Sequence, residues 1–318
     1  MPGLTPTQLA TFRANGYLVL PNYLTPEEIT ACLTETDQLL TTFDLSTHPL
    51  TQFTTGDDPR ASTSHVGDSY FLTSGDKIRY FFEPDAFTTP SPTPPTRTPP
   101  RPSANPNTSP LNAKNAAIAD SLGFKDPRVL QSMVICKQPG IGGAVPNHQD
   151  SEFLYTDPPS AVGWWFALQD AGPGNATLGM YKGSHLGERV RRRFVRKSQG
   201  SGSGTEFVRN EGAKMPRGLE QEEGTDTTTA GVVDGQDELG AALGNEDDLE
   251  VLDIKAGSLV LIHGNVLHKS EKNTGPRSRF AYTFHVIEGA EGWVYDERNW
   301  LQPPESGEGF SRLFDCLE

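Results

Sequence analysis

The 318-residue chain has seven histidines, and the run His148-Gln149-Asp150 is the one whose spacing invites metal chemistry. On an extended strand, residues i and i+2 point to the same face, so an imidazole and a carboxylate one residue apart can converge on a single ion. A second histidine arriving from a distant strand would complete a set of two imidazoles and one carboxylate. That set leaves three coordination positions open, which suits Fe(II) in oxygenases. A lone HxD also occurs in ordinary loops, so its weight depends on what accompanies it.

Two histidines compete for the distant position, His263 and His268, both within LVLIHGNVLHKS at 259–270. The apolar run reads as a buried strand and Gly264-Asn265 as the turn after it. His263 closes that strand, where a core histidine bonded to backbone is the plainer reading. His268 opens a polar stretch. Further on, Arg279 begins the strand RFAYTFHVI, whose alternation puts Arg279, Ala281, Thr283 and His285 on one face. An arginine among small and polar groups needs an anionic partner. That partner is either an acid of the chain or a bound carboxylate, which the planar guanidinium matches with two parallel bonds.

The elements that must position these groups follow from periodicity. Thr5-Pro6-Thr7-Gln8 and Thr25-Pro26-Glu27-Glu28 both have the capping-box form with proline at the first helical position. The first helix should stop at Gly16, and Tyr17-Leu18-Val19-Leu20 reads as a short strand. A further helix is expected over 111–122. From about residue 129 the pattern changes to strands, at 129–138, 163–169, 258–263 and 279–287. The chain reads as mostly β (α+β): helices first, then an antiparallel barrel or sandwich.

Two segments stand apart. Residues 84–110 hold ten of the 26 prolines, and residues 201–250 carry thirteen acidic against three basic residues, a net of −10 within a total of −14. Both 84–110 (Pro-rich) and 198–250 (acidic, Gly-rich) read as solvated insertions in one domain spanning 1–318. The acidic balance excludes a nucleic-acid surface as a default, and no apolar run is long enough for a membrane span. Three scattered cysteines imply neither a disulfide framework nor a zinc site. The N-terminus lacks the features of a secretory signal and the final residues are not a peroxisomal address, so a cytoplasmic location is expected. The basic cluster Arg189, Arg191, Arg192, Arg193, Arg196 and Lys197 reads as a solvated element paired with the acidic segment, with a phosphate-binding patch as the rival.

Taken together, His148-x-Asp150, His268-x-Ser270 and Arg279 resemble the phytanoyl-CoA dioxygenase (PhyH) family of Fe(II)/2-oxoglutarate oxygenases. The likeness extends to NGYLVLPNYLTPEEI near the start, SGDKIRYFFE at 74–83, QSMVICKQP at 131–139, NHQDSEFLYTDPP at 147–159, GSLVLIHGNVLHKS at 257–270, RSRFAYTFHVIEG at 277–289 and NWLQP at 299–303. It leaves out only the two insertions. The resemblance implies a double-stranded β-helix (jelly roll) of two four-stranded sheets, with the N-terminal helices flanking it. It implies Fe(II) ligation by His148, Asp150 and His268, with Arg279 and Ser270 holding the far carboxylate of 2-oxoglutarate. Lys77, Met133 and Trp165 would line the cosubstrate pocket. Gly183-Ser184-His185 matches a family turn except that Lys182 replaces a proline; His185 reads as structural or as supporting a ligand, not as a ligand itself. His285, on the Arg279 face, is a rival pocket residue.

The implied reaction consumes O₂, converts 2-oxoglutarate to succinate and CO₂, and hydroxylates a small organic substrate, with ascorbate in support. Asp150 favours hydroxylation over halogenation, since related halogenases lack that carboxylate. One rival is a cupin-type metal enzyme without 2-oxoglutarate, against which Arg279 and Ser270 argue. The other is a sensor or scaffold that binds iron and 2-oxoglutarate without turnover. The sequence carries no mark of oligomeric state.

Overall fold

Thr5 and Thr25 start their helices in the same way. In the computed structural model, which describes residues 3–51, 68–83, 86, 109–197, 204–219, 244, 246–304, 307 and 309–317, both capping boxes form. Each threonine side chain accepts from the backbone three residues on, and Gln8 or Glu28 accepts from the threonine N–H in return. Helix α1 (Pro6–Asn15) ends at Gly16, whose φ of 80° suits glycine and turns the chain into strand β1 (Tyr17–Leu20). Helices α2 (Pro26–Thr42), α3 (Ser69–Leu72) and α4 (Ala113–Leu122) follow.

The rest is strand-rich. It begins with β2 (Pro127–Lys137), β3 (Val145–His148), the one-turn helix α5 (Asp150–Phe153), β4 (Thr156–Asp157), β5 (Val162–Ala167) and β6 (Leu178–Tyr181). Then come β7 (Arg192–Arg196), β8 (Thr205–Arg209), β9 (Leu249–Val251) and β10 (Leu259–His263). The last four are β11 (His268–Ser270), β12 (Arg279–Glu288), β13 (Val294–Tyr295) and β14 (Ser311–Arg312). Among the described residues, no helix is long and apolar enough to cross a membrane.

These strands form a jelly roll of two antiparallel sheets. The larger runs β1-β10-β5-β12-β2-β14 and the smaller β3-β11-β6-β9. The expected pair of four-stranded sheets is corrected on one side: β1 pairs with β10 and β14 with β2, which extends the larger sheet to six strands. Register assigns the faces. Leu18, Leu261, Trp164 and Phe284 lie in one row, and with Phe12, Ala116 and Ile118 from α1 and α4 they make the outer core. The next row, Val19, Val260, Trp165, Thr283 and Met133, faces the smaller sheet. There Trp165, Ala281 and Val260 pack on Leu178 and Met180. A full-length burial of each such side chain contributes about 1.5–3 kcal/mol.

Both ends of the acidic segment belong to the fold, which narrows the expected insertion at 198–250. Thr205–Arg209 pairs with β7, Met215 is buried, and Leu249–Val251 pairs with β6. Phe207, Val208, Leu249 and Val251 supply a strand pattern that the surrounding acids obscured. The Pro-rich segment 84–110 lies outside the described residues except at Ala86, Ser109 and Pro110.

The expectation of a solvated basic cluster is corrected for three of its six residues, while Arg191 and Lys197 are exposed. Arg192 is buried and donates from Nε to Glu152 of α5 at 3.0 Å, with its guanidinium over the Phe207 ring. Arg193 pairs with Asp296, and Arg196 donates to the Trp300 and Leu72 carbonyls. The first of these bonds fastens the β7–β8 hairpin to the segment that begins with Asp150, and the others fasten it to Asp296, Trp300 and Leu72. Arg192→Met should lower the unfolding free energy by about 3–5 kcal/mol, because it removes one partner of a buried ion pair. Urea unfolding checks this, and adding Glu152→Met should restore much of the loss.

Candidate active site

His148 is the last residue of β3 and Asp150 the first of α5. Gln149 between them is still extended, at φ −113° and ψ 132°, so the strand alternation carries through to Asp150 before the chain turns helical. The expectation of a plain strand over this motif is corrected accordingly: the helical turn begins at the ligand itself. Gln149 points away, fully buried, and donates from Nε2 to the Asn265 carbonyl at 2.7 Å. Ser151 Oγ donates to Asn265 Oδ1 at 2.8 Å, and Ser151 N–H to the Gly264 carbonyl at 2.9 Å. The turn between β10 and β11 is thereby tied to the start of α5. In the next strand, His268 pairs directly with His148, and the two rings sit 4.1 Å apart.

One ligand atom from each of His148, Asp150 and His268 lies within 4.8 Å of the others. Asp150 Oδ1 is 3.6 Å from His148 Nε2 and 3.7 Å from His268 Nε2. The other ring nitrogens are already committed. His148 Nδ1 lies 2.9 Å from the Pro146 carbonyl and His268 Nδ1 lies 3.1 Å from that of Val266. A carbonyl only accepts, so each Nδ1 carries the proton, and a neutral ring presents its Nε2 lone pair to the cluster. Burial alone would raise the Asp150 carboxyl, but His285, His268 and His148 around it hold it well below the usual carboxylate range. Burial, then the neighbouring His148, pushes His268 down to about 4. The donor set is thus an anionic oxygen and imidazole nitrogens, which suits a divalent first-row metal, Fe(II) included.

His285 holds the carboxylate from behind. Its Nε2 donates to Asp150 Oδ2 at 3.1 Å, leaving Oδ1 for the cluster. Room for this contact comes from Gly163, the register partner of His285, where a Cβ would lie 3.2 Å from Asp150 Oδ2. His285→Phe keeps the ring volume and removes the donor. It should weaken iron binding by about 10- to 100-fold, as read by metal titration.

At the far end of the same face, Arg279 is 1% exposed. Its Nε donates to the Ala176 carbonyl at 3.1 Å, its Cζ lies 5.4 Å from the Trp165 ring centroid, and Nη1 is buried with no hydrogen-bond partner among the described residues. Burial pushes the guanidinium down to about 10, so it remains charged at neutral pH. A buried cationic donor without an acceptor is costly, and a carboxylate entering the pocket would satisfy it. Ser270, two residues beyond His268 on the same strand face, lies near this end, where Lys137 Nζ donates to its Oγ at 2.7 Å. Met133 sits on the site face opposite Thr283, at an open rim where it is 40% exposed.

Lys77 is not brought to this cluster. Its side chain is 47% exposed and pairs with Asp76 at 2.7 Å, next to it in the chain, so the lysine turns outward after α3. The buried lysine of the site is Lys137, the register partner of Arg279. Sequence reasoning passed over it, although Met133, Ile135 and Lys137 share the parity of one strand face. His263 and His185 are interior residues: His263 Nδ1 accepts from Asn265 N–H, and His185 Nε2 lies 3.0 Å from the Arg13 carbonyl. Their rings pack on each other, with centroids 4.9 Å apart.

Known proteins resemble this chain in sequence and in fold. The chain is 38% identical over 317 residues to phytanoyl-CoA dioxygenase domain-containing protein 1 of Bos taurus, covering 95% of this chain and 96% of that one. It is 33% identical over 311 residues to phytanoyl-CoA dioxygenase of Arabidopsis thaliana, covering 94% of each. Among solved structures, the fold is similar to that of the epimerase SnoN in complex with Fe3+, alpha ketoglutarate and nogalamycin RO. That match has a TM-score of 0.53 at 16% identity and covers 96% of this chain and 91% of that one. EctD from S. alaskensis in its apoform matches with a TM-score of 0.50 at 17% identity, over 90% and 78% of the two chains. The profile of the phytanoyl-CoA dioxygenase (PhyH) family matches residues 12–281, from α1 through Arg279, and the chain belongs to that family.

Proposed function

We propose that the protein is a Fe(II)- and 2-oxoglutarate-dependent dioxygenase that hydroxylates a small organic substrate. The observation that carries this reading is the buried Nη1 of Arg279, unpartnered among the described residues, on the same face as the His148, Asp150 and His268 cluster. A metal site alone would serve many chemistries; a buried cation set beyond it selects a cosubstrate with a second, distant carboxylate. Iron(II), held by His148, Asp150 and His268, would supply the redox chemistry by which O₂ and the 2-oxo acid are consumed together.

The chain's own residues do the rest. His148 and His268, fixed by their Nδ1 bonds to backbone, present Nε2, and Asp150, steadied by His285, presents Oδ1. Arg279 neutralises the far carboxylate and so sets which end of the cosubstrate faces the metal ligands. Trp165 walls the pocket beside it, and Met133 lies where a substrate would enter. Because the carboxylate of Asp150 completes the protein's share of the ligands, hydroxylation is favoured over halide transfer.

Succinate formation tests the reading. Purified protein with Fe(II), O₂, ascorbate and 2-oxoglutarate should release succinate slowly alone and faster with a true substrate. Bound iron with no succinate under either condition would replace this reading with that of a sensor that binds without turnover.

A further inference from the structure

Lys137 ends β2 with its side chain on the inner face, directly across from Arg279. Both residues are 1% exposed, so two cations lie side by side at one end of the sandwich. Nζ of Lys137 reaches across to the smaller sheet. It meets Ser270 Oγ at 2.7 Å, the Glu271 carbonyl at 2.8 Å and the Ser270 carbonyl at 3.5 Å. Three acceptors around one nitrogen call for three N–H donors, the protonated ammonium. Burial and the adjacent Arg279 oppose that charge and push Lys137 down to about 7. Glu83 acts on both cations in the opposite sense, and its Oε2 is engaged by Gly143 N–H at 2.9 Å.

The direction of the bond to Ser270 matters. An ammonium can only donate, so Ser270 Oγ is an acceptor there and its own proton is left to donate elsewhere. Ser270 is buried and faces inward with His268, on the side where Arg279 Nη1 lacks a partner among the described residues. We propose that Lys137 is a positioning residue: by donating to Ser270 Oγ it turns the Ser270 hydroxyl into a donor, so that Ser270 and Arg279 together grip the distal carboxylate of a 2-oxo dicarboxylic acid. The inference rests on the reading of this pocket as a 2-oxoglutarate site. It gives the pocket a means of selecting dicarboxylates over 2-oxo monocarboxylates, since only the former reach this donor pair.

The test is binding, not turnover. The full-length protein is loaded anaerobically with Mn(II) and titrated with 2-oxoglutarate and with pyruvate, which lacks the distal carboxylate. Lys137→Met should weaken 2-oxoglutarate by about tenfold, the loss of one well-placed hydrogen bond, and leave pyruvate and Mn(II) affinity unchanged. Ser270→Ala should show the same loss, and Lys137→Met added to Ser270→Ala should cost little more, because the lysine acts through the serine. Equal, additive losses in the two backgrounds, or a loss shared by pyruvate, would overturn the proposal. If Lys137→Met does not fold, Lys137→Gln keeps a donor without the charge and should show a smaller loss that also vanishes with Ser270→Ala. Failure of both variants to fold would make Lys137 a structural strut and overturn its positioning role. Absence of saturable 2-oxoglutarate binding in the wild type would instead sink the reading of the site. Normal wild-type binding, unchanged in a folded Lys137→Met, would sink only this inference.

Discussion

Asp150→Ala should abolish stable iron binding while leaving the protein folded. Asp150 is the sole anionic ligand of the cluster, and its carboxylate is held ionised by three histidines. With a full ligand set worth roughly 10–16 kcal/mol at structural metal sites, one charged ligand carries about 3 kcal/mol or more. That corresponds to at least about a hundredfold in affinity. The fold should tolerate the change, because removing the carboxylate also removes the cost of burying it. His148 and His268 keep their Nδ1 bonds to Pro146 and Val266, so the strands that present them stay as they are. Metal titration together with circular dichroism checks both halves. Loss of iron with loss of structure would make the cluster a folding element, not a metal centre.

Arg279→Met should separate the cosubstrate from the metal. Truncating one partner of a buried charge pair costs about 2–5 kcal/mol, so 2-oxoglutarate affinity should fall by roughly 30-fold to a few thousandfold. Iron affinity should not change, since Arg279 touches none of the ligands: its contacts are the Ala176 carbonyl and the Trp165 ring. The ligand-free variant should be as stable as the wild type or more so by about 1–3 kcal/mol, because the buried Nη1 lacks a partner among the described residues. A residue that served only an internal salt bridge would behave in the opposite way, losing stability on removal. Thermal unfolding with and without 2-oxoglutarate reads out both effects: the wild type should gain stability from the ligand and the variant should not.

The framework of this site was legible in the chain because its signals are local. Two capping boxes, the glycine after α1 and the alternation of RFAYTFHVI place the outer helices and the central strand, and the same alternation puts Arg279 and His285 on one face. The positions of β3, β6 and β11 were less legible, since three or four residues such as VPNH or HKS carry too little pattern to mark a strand. They exist because long-range pairing holds them, His268 against His148 on one side and Met180 on the other. The arginine cluster misled for a related reason. Six basic residues within nine positions look solvated, but Glu152 and Asp296, distant in sequence, neutralise two of them inside the fold. Lys137 was illegible on the same grounds: a lysine's burial depends on which strand lies opposite, and the pairing of β2 with β12 reveals it.

One pocket should hold iron and 2-oxoglutarate together, and their direct contact can be observed. A 2-oxo acid chelated to Fe(II) gives a visible charge-transfer band that neither shows alone. Titrating the anaerobic Fe(II)-loaded protein with 2-oxoglutarate should raise this band to saturation at an equimolar ratio. Asp150→Ala should show no band, and Arg279→Met should require far more 2-oxoglutarate to reach it. A wild-type protein that holds iron but gives no band with 2-oxoglutarate would contradict the account.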